Sequence, residues 1–406
     1  MNRMRNGYVR LTMALVCAGL TSVSQAEDLV IQSFDSTGLL TFNEITTATV
    51  YQVQWANAPT GGWHSGSPGV TGIVARGWGQ NVVTVGVAQA VCFYRVAASV
   101  TNAPAPTGDY IVVDLSGGAN ATSYPVAYYR TLGDVPGGAA NEAYKTTSLL
   151  MRLISNGVFT MGSPVGELGV YANETQHQVT LTRNFYIGVY EVTQKQWEQV
   201  MGDWPGYYNN ASWRDARPVE QVSYDDIRGS SAGADWPVSN GVDAASFMGR
   251  LRMRTGQTFD LPTESQWEYA CRAGTSTALN SGYNITNVNS DAHLADLGRY
   301  WYNGGSGYTQ NGDTSVGTAS AGQYLPNAWG LYDMHGNVWE WCLDWYGSYP
   351  DAVSDPAGAA TGSGRVVRGG SWFNFADHCR SAGRVSSTPD TRVDYVGLRA
   401  VMPAGQ

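Results

Sequence analysis

Charged side chains are scarce in this chain of 406 residues: Asp, Glu, Lys and Arg make up 14% of it, and the formal net charge is -9. Lysine and arginine form no cluster anywhere along the sequence. Nucleic acids and anionic lipid surfaces are bound largely through clustered basic side chains. We therefore expect no nucleic acid among the partners of this protein, and no attraction to an anionic membrane surface.

Long apolar runs are also lacking. The apolar stretch 11–20 follows three arginines within the first ten residues and precedes a Ser-Gln-Ala sequence at 24–26, which has the form of a cleavage site. An uncleaved membrane anchor is the alternative, but a bilayer crossing needs roughly 20 apolar residues. We predict a signal peptide at 1–26 and a mature protein that is secreted or periplasmic. No later segment is apolar for long enough to predict a membrane span.

Cysteine and histidine are too few and too scattered for a disulfide scaffold or a zinc site. One of the five cysteines, Cys17, lies in the predicted signal peptide, and the five histidines never fall at close metal-ligand spacings such as i, i+4. A zinc or three-histidine iron site is therefore unsupported. The cysteines that remain after cleavage could still form a disulfide in an oxidising compartment; they are Cys92, Cys271, Cys342 and Cys379.

Glycine and the large aromatic residues, by contrast, are abundant, with 49 Gly, 14 Trp and 24 Tyr. This composition favours turns and aromatic packing over long charged helices. About 380 mature residues also exceed what one core usually organises. We predict a small all-β, sandwich-like module at 27–100, from its short β-prone runs between turns, a Pro-containing linker at 101–109, and an irregular, loop-rich α+β domain at 110–403.

Three short helices are predicted in the second domain. Thr193 and Gln196 have capping-box spacing, and Thr263 also begins a helical pattern. Between them, apolar residues at helical spacing run from Ala244 to Leu251 and precede Gly256, which would end that helix.

Seven motifs of the second domain occur in the order in which one known family carries them. The sequence resembles the formylglycine-generating-enzyme (sulfatase-modifying factor) family, and the resemblance extends from about residue 110 to 401. It implies an irregular α+β fold related to C-type lectins. The motifs are GVFTMGS at 157–163, FYIGVYEVT at 185–193, RPVEQVS at 217–223, LPTESQWEYA at 261–270, NAWGLYDMHGNVWEW at 327–341, RGGSW at 368–372 and VGLR at 396–399.

The resemblance also implies a calcium site in the longest motif. Its ligands would be the side chains of Asp333 and Glu340 and the backbone carbonyls of Gly336 and Val338. Hard oxygen donors along one turn-rich segment suit Ca²⁺. The alternative is that the two acidic side chains cap turns or pair with arginine. A second calcium site of the family would use the loop 293–313, where we assign no ligands.

The family's reaction, as the resemblance implies it, oxidises a sulfatase cysteine to formylglycine with copper(I) held by two cysteines shortly after the Gly-Gly-Ser-aromatic motif. Here Asn374 stands where the first of those cysteines is expected, and only Cys379 remains. The copper-binding pair is therefore incomplete, and Cys379 is the single weak candidate for a catalytic residue. The family also implies a disulfide between Cys271 and Cys379, which competes with a metal-binding role for Cys379.

Two hypotheses of function follow. In the first, this is an exported enzyme of the formylglycine-generating type that acts on a sulfatase or another exported polypeptide. In the second, it is a non-catalytic, calcium-braced binding protein for a peptide, a protein or a glycan. Under either hypothesis Ser371, Trp372 and Asn374 are the expected cleft residues, because two preceding glycines allow close backbone approach.

Overall fold

The structure, a computed structural model, describes residues 108–230, 241–304, 316–349 and 353–404, together with the backbone of seven strands between residues 31 and 99. The chain divides into two compact units, Met1–Pro104 and Ala105–Gln406. The predicted signal peptide and most of the predicted linker lie outside the described residues. The boundaries proposed for the two domains stay predictions.

The described segments of the first unit are all β-strands. They form two antiparallel sheets with the strand orders β1-β2-β6-β5 and β4-β3-β7. The strands are β1 (Ile31–Phe34), β2 (Leu39–Phe42), β3 (Val50–Ala56), β4 (His64–Ser65), β5 (Val70–Arg76), β6 (Gln80–Val85) and β7 (Phe93–Ser99).

The described residues of the second unit form three small sheets, with the orders β19-β13-β10-β8-β9, β11-β12-β15 and β17-β16-β14-β18. Strands from both ends of the unit meet in the five-stranded sheet. Its central strands β10 and β13 pair with each other, β10 also pairs with β8 near the start of the unit, and β13 pairs with β19 near its end. The strands are β8 (Tyr110–Asp114), β9 (Val126–Tyr129), β10 (Ser148–Ile154), β11 (Gly157–Met161), β12 (His177–Leu181), β13 (Phe185–Gly188), β14 (Trp339–Trp345), β15 (Val353–Ser354), β16 (Arg365–Arg368), β17 (Arg384–Ser387), β18 (Val396–Gly397) and β19 (Val401–Pro403).

The helices of this unit are short. They are α1 (Gln194–Met201), α2 (Tyr224–Arg228), α3 (Phe247–Thr255), α4 (Glu264–Arg272), α5 (Ala292–Ala295) and α6 (Trp301–Gly304). Among the residues that the structure describes, no helix has the length and apolar character needed to cross a membrane. The loop-rich α+β class predicted from the sequence is confirmed.

The predicted helix signals are confirmed, with one shift. Capping boxes at Thr193 and Thr263 begin α1 and α4, and Gly256, with φ of 68°, ends α3. Helix α3 begins three residues later than its apolar pattern, because Ser246 is its N-cap and accepts a hydrogen bond from the Gly249 N–H.

One aromatic stack joins helices α1 and α3, and a buried apolar cluster holds the loop that carries the longest motif. Trp197 of α1 stacks on Phe247 of α3 with ring centroids 4.9 Å apart. Trp267 and Cys271 of α4 belong to the same buried apolar cluster as Met334 of the loop before β14. Burying a large apolar side chain contributes about 1.5–3 kcal/mol. Helix α4 therefore holds the loop 327–338 in place from one side.

Candidate functional site

The loop 327–338 is tied to α4 by one amide side chain. Asn327 donates from Nδ2 to the carbonyls of Ala270 and Cys271, at 2.8 and 3.2 Å, and its Oδ1 accepts from the N–H groups of Trp329 and Leu331. These four hydrogen bonds satisfy helix-end carbonyls of α4 and close the turn at the same time. The start of the loop is consequently fixed relative to the helix.

The middle of the loop adopts backbone conformations that L-residues rarely take. Asp333, Gly336 and Asn337 have φ of 58°, 97° and 62°. A Cβ atom on Gly336 would lie 2.1 Å from the carbonyl oxygen of Arg299, so only glycine fits there. Asn337 is held by its side chain, which accepts from the Ala319 N–H at 2.9 Å. Strained backbone of this kind is often found at functional sites.

Three carboxylates are buried beside this turn: Glu191, Asp333 and Glu340 are 0%, 2% and 0% exposed. One guanidinium, that of Arg399, accompanies them and donates to Glu340 Oε1 at 2.7 Å. Burial raises the pKa of Glu191 well above its usual value, and the charges of Asp333 and Glu340 raise it further. Burial also raises the pKa of Asp333, to about 6. Three carboxylates thus lie close together near the Arg399 guanidinium, while the charge of Lys145 also acts on Asp333, and their mutual repulsion disfavours ionisation of all three at once.

Glu340 and Asp333, the residues predicted to bind calcium through their side chains, have different hydrogen-bond partners. Glu340 accepts from Arg399 and from the Trp267 indole N–H at 2.6 Å. Asp333 Oδ2 accepts from the Gly322 N–H at 2.6 Å, whereas its Oδ1 is buried without a hydrogen-bond partner. A buried acceptor without a partner costs about 1–3 kcal/mol. This oxygen is the atom of the cluster that an additional positive group would satisfy.

Glu191 is not among the ligands predicted from the sequence. Its carboxylate accepts from the Asn337 side-chain amide at 2.7 Å and from the Val338 N–H at 3.2 Å. Among the described residues no three His, Cys, Asp or Glu side chains converge as a ready metal site. The predicted ligand set has only two carboxylates, together with two backbone carbonyls. The sequence did offer one signal for Glu191: it is an acidic residue within the largely apolar sequence 185–192. A carboxylate buried there needs a polar partner, which marks it as a candidate site residue.

The three described cysteines are free thiols and are fully buried; they are Cys271, Cys342 and Cys379. Burial raises the pKa of the Cys271 thiol to about 12, and it raises the pKa of the Cys342 and Cys379 thiols as well. These thiols are therefore protonated at neutral pH, which opposes metal binding because the thiolate is the ligand form.

The predicted Cys271–Cys379 disulfide is not formed in the structure. The imidazole of His335 lies between the two residues, with Nε2 3.9 Å from the Cys271 thiol and Nδ1 2.7 Å from the Cys379 carbonyl oxygen. Nε2 accepts from the Asn280 N–H at 3.1 Å, so the ring donates from Nδ1. Burial lowers the pKa of His335 to about 4. A neutral, hydrogen-bonded imidazole thus contacts the Cys271 thiol and the Cys379 backbone, and both thiols are free.

The predicted cleft residues share one turn. The Ser371 hydroxyl donates to Asn374 Oδ1 at 2.6 Å, and the Trp372 indole donates to the Asp394 carbonyl at 3.0 Å. Ser371 and Trp372 are buried, at 0% and 5% exposed. Asn374, at the position expected for a copper-binding cysteine, is thus engaged with a hydroxyl group and supplies no soft ligand.

Exposed aromatic rings surround this turn. Phe373 and Phe375 are 53% and 43% exposed, and the ring of Trp301 lies edge-on to both, with centroids 5.5 and 6.4 Å away. Tyr395 stacks on Phe373 at 5.9 Å. We call these four residues the aromatic surface. It offers large apolar area next to the turn of Ser371 and Asn374.

Fold and site together define a class: a loop-rich α+β domain of the C-type-lectin-like kind, whose long Asn-Ala-Trp-Gly loop runs into a buried Trp-Glu-Trp strand. Residues 138–404 match the family described as sulfatase-modifying factor enzyme 1-like domain. The chain belongs to this family, which confirms the resemblance seen in its motifs.

Individual relatives agree with this assignment. The formylglycine-generating enzyme of Bos taurus is 29% identical over 299 residues, which cover 66% of this chain and 77% of that protein. The formylglycine-generating enzyme of Thermomonospora curvata is 36% identical over 152 residues, which cover 34% and 48%. Among solved structures, PvdO from Pseudomonas aeruginosa has a TM-score of 0.50 at 23% identity and covers 63% of this chain and 94% of that one. This last similarity concerns the fold alone.

Proposed function

We propose that this chain is an exported binding protein that keeps the scaffold of the formylglycine-generating-enzyme family without its oxidation chemistry. The observation that carries the proposal is the replacement at Asn374. Copper(I) prefers soft thiolate ligands. Asn374 offers an amide bound to Ser371, and Cys379 is a buried thiol with a raised pKa. The residues present do not fit a two-cysteine copper site, and we derive no reaction step through copper.

Calcium fits the residues better than copper does. Glu191, Asp333 and Glu340 are three buried carboxylates near one guanidinium, that of Arg399, and Asp333 Oδ1 lacks a hydrogen-bond partner. A divalent cation bound through oxygen atoms would stabilise the ionised form of these carboxylates. Asp333 and Glu340, with the carbonyls of Gly336 and Val338, would hold it. The bound ion would stabilise an irregular loop that has little regular hydrogen bonding.

The ligand that we propose is an exported polypeptide, which the aromatic surface would bind through apolar side chains. Exposed aromatic rings give large contact area at low cost in side-chain entropy. Phe373 and Phe375 are both strongly exposed and lie next to the turn where the family has its reactive cysteines. A calcium-braced scaffold would keep this surface fixed before binding, which lowers the entropy cost of association.

The enzyme hypothesis keeps one argument, the 29% identity to a formylglycine-generating enzyme. Mass spectrometry of a Cys-x-Pro-x-Arg sulfatase peptide, incubated with the mature protein, copper(I) and oxygen, decides between the hypotheses. We expect the cysteine to remain unconverted. Conversion to an aldehyde that disappears in Cys379→Ala would establish an oxidase and overturn the proposal.

Selection from a random peptide-display library in the presence of calcium tests the binding function directly. We expect enriched peptides rich in apolar residues, whose affinity falls at least tenfold in a Phe373→Ala/Phe375→Ala variant. Tyr283→Ala is the matched control, since Tyr283 is 55% exposed and does not belong to the aromatic surface. A failure to enrich any peptide, or enrichment that the double variant leaves unchanged, would rule out the polypeptide ligand.

A further inference from the structure

A groove that shares no lining residue with the aromatic surface runs between three segments of the second unit. It consists of two adjoining cavities of 390 and 320 Å³, and both are lined by Asn173 and Tyr346. Each volume lies within the range typical of small-molecule sites, about 300–1,000 Å³. We call this the tyrosine groove; its main residues are Tyr171, Asn173, His177, Tyr346, Tyr349 and His378.

Tyrosine rings form fixed walls in this groove. The guanidinium of Arg384 lies over Tyr346 and Tyr349, 4.6 and 4.1 Å from the ring centroids. His177 packs on Tyr349 with ring centroids 4.5 Å apart. Rings held in this way lose little freedom when a ligand contacts them. The tyrosine walls of the groove are therefore fixed before a ligand binds.

The charges at the groove are already compensated. Arg384 donates to both oxygens of Glu264, at 2.6 and 2.7 Å. His378 Nδ1 lies 2.8 Å from one oxygen of Asp377, and the Tyr171 hydroxyl donates to the other at 2.8 Å. A charged ligand would lose hydration without meeting an unpaired opposite charge. The groove therefore favours a neutral ligand.

Hydrogen-bonding groups alternate with the rings. The Asn173 amide donates to the Tyr346 hydroxyl, and Asn173 Oδ1 has no hydrogen-bond partner. Exposed Thr175, Gln176 and Ser348 lie along the rim of the larger cavity. Amides and hydroxyls can both donate and accept, as the hydroxyl groups of a sugar require. Flat apolar walls with neutral donors and acceptors match a sugar ring, which has apolar C–H faces and a polar edge.

We propose that the tyrosine groove binds a neutral oligosaccharide, with one sugar unit in each of the two adjoining cavities. Tyr346, which lines both cavities, would pack against the sugars, and the exposed Thr175, Gln176 and Ser348 would hydrogen-bond the unit in the larger cavity. Asn173, whose amide donates to the Tyr346 hydroxyl, would position that ring. Tyr171, 41% exposed and anchored by Asp377, would close the end of the smaller cavity. An extended peptide added to β17, whose other edge pairs with β16, is the competing occupant.

A glycan microarray containing neutral, sialylated and sulfated glycans, probed with the full mature chain in calcium, identifies the ligand class. Titration calorimetry with the selected glycan then measures affinity. We expect neutral glycans of at least two units, with an affinity that barely changes with salt, because no net charge is neutralised on binding. Tyr171→Ala and Asn173→Ala should each weaken binding about tenfold or more, whereas Tyr283→Ala should leave it unchanged.

Three results would overturn the proposal. One is that no glycan binds while circular dichroism shows a folded chain. Another is binding confined to acidic glycans, with strong salt dependence. The third is glycan binding that survives both Tyr171→Ala and Asn173→Ala. The Phe373→Ala/Phe375→Ala variant separates this site from the polypeptide site, because it should lose the peptide and keep the glycan.

Discussion

Replacing Asp333 by asparagine should stabilise the metal-free protein and remove most of the stabilisation that calcium gives. The substitution keeps the shape of the side chain and an oxygen that can accept from the Gly322 N–H. Asparagine also tolerates the φ of 58° at this position. What it removes is the charge of one of the three carboxylates buried near the Arg399 guanidinium.

The expected sizes follow from the charge balance. In the metal-free protein, burial raises the pKa of Asp333 from 3.8 to about 6, so removing its charge at pH 7 should stabilise the fold by about 1–3 kcal/mol. With free calcium at about 10–100 times the dissociation constant, binding should stabilise the unsubstituted protein by about 1.4–2.7 kcal/mol. For a unit of about 300 residues this raises Tm by about 2–4 °C. Asp333→Asn should lose most of that rise.

Differential scanning calorimetry in EGTA and in millimolar calcium measures both effects. Asp344→Asn is the matched control: Asp344 is also 2% exposed, and burial raises its pKa to about 7, but it lies outside the carboxylate cluster. It should stabilise the metal-free protein in the same way and keep the full calcium response. A calcium response that is intact in Asp333→Asn, or missing in the unsubstituted protein, would refute calcium binding at this cluster.

Three further predictions concern other parts of the second unit. Burial raises the pKa of Glu220 from 4.5 to about 7, so the fold loses stability as this carboxyl ionises between those pH values. The free energy of unfolding of Glu220→Gln, measured by urea titration, should therefore rise by about 3 kcal/mol relative to that of the unsubstituted protein between pH 4.5 and 8. A difference that stays constant with pH would contradict this. Gly336→Ala should destabilise the fold by more than about 2 kcal/mol, whereas Gly256→Ala, which meets no atom within 4 Å, should cost about 1 kcal/mol; equal costs would argue against the clash at Gly336. Iodoacetamide should not alkylate Cys271 and Cys379 in the folded protein, because both thiols are buried, but it should alkylate both after the protein is unfolded without reductant. If these cysteines stayed unmodified in the unfolded protein, the predicted disulfide would be supported instead.

The parts of the fold that depend on neighbouring residues could be predicted from the sequence. Thr193 and Gln196 form the capping box at the start of α1, and Thr263 begins α4 with a capping box of the same kind. Four consecutive residues are therefore enough to predict each helix start. The beginning of α3 was missed by three residues, because the pattern counted Ala244 and ignored the cap at Ser246. Apolar spacing marks a face of a helix, whereas the cap marks its end.

The parts of the candidate site that depend on distant residues could not be predicted in this way. Glu191 reaches Asn337 across 146 positions of sequence, and no local spacing indicates that contact. His335 likewise contacts the Cys271 thiol and the Cys379 carbonyl from 64 and 44 positions away in sequence. Family resemblance supplied candidate ligands and a candidate bridge, but it did not indicate these contacts.

Charged residues are scarce in this chain, and several of its arginines are buried, where they join separate loops and strands. Arginines connect loops to carboxylates and to loop carbonyls, as when Arg399 binds Glu340 together with the carbonyls of Gly188 and Tyr332. One such network is balanced, with three acidic and three basic side chains; it contains Glu264, Glu268, Asp344, Arg272, Arg368 and Arg384.

The cluster around Asp333 differs from that network because one of its buried oxygens, Asp333 Oδ1, has no hydrogen-bond partner. Burial and the neighbouring carboxylates also raise the pKa of Glu191 well above its usual value. A cation bound at Asp333 Oδ1 would lower this pKa, because a nearby positive charge favours the ionised form of a carboxylate. The burial of Glu191, which the predicted ligand set did not include, therefore supports the proposed calcium site on grounds other than the family resemblance.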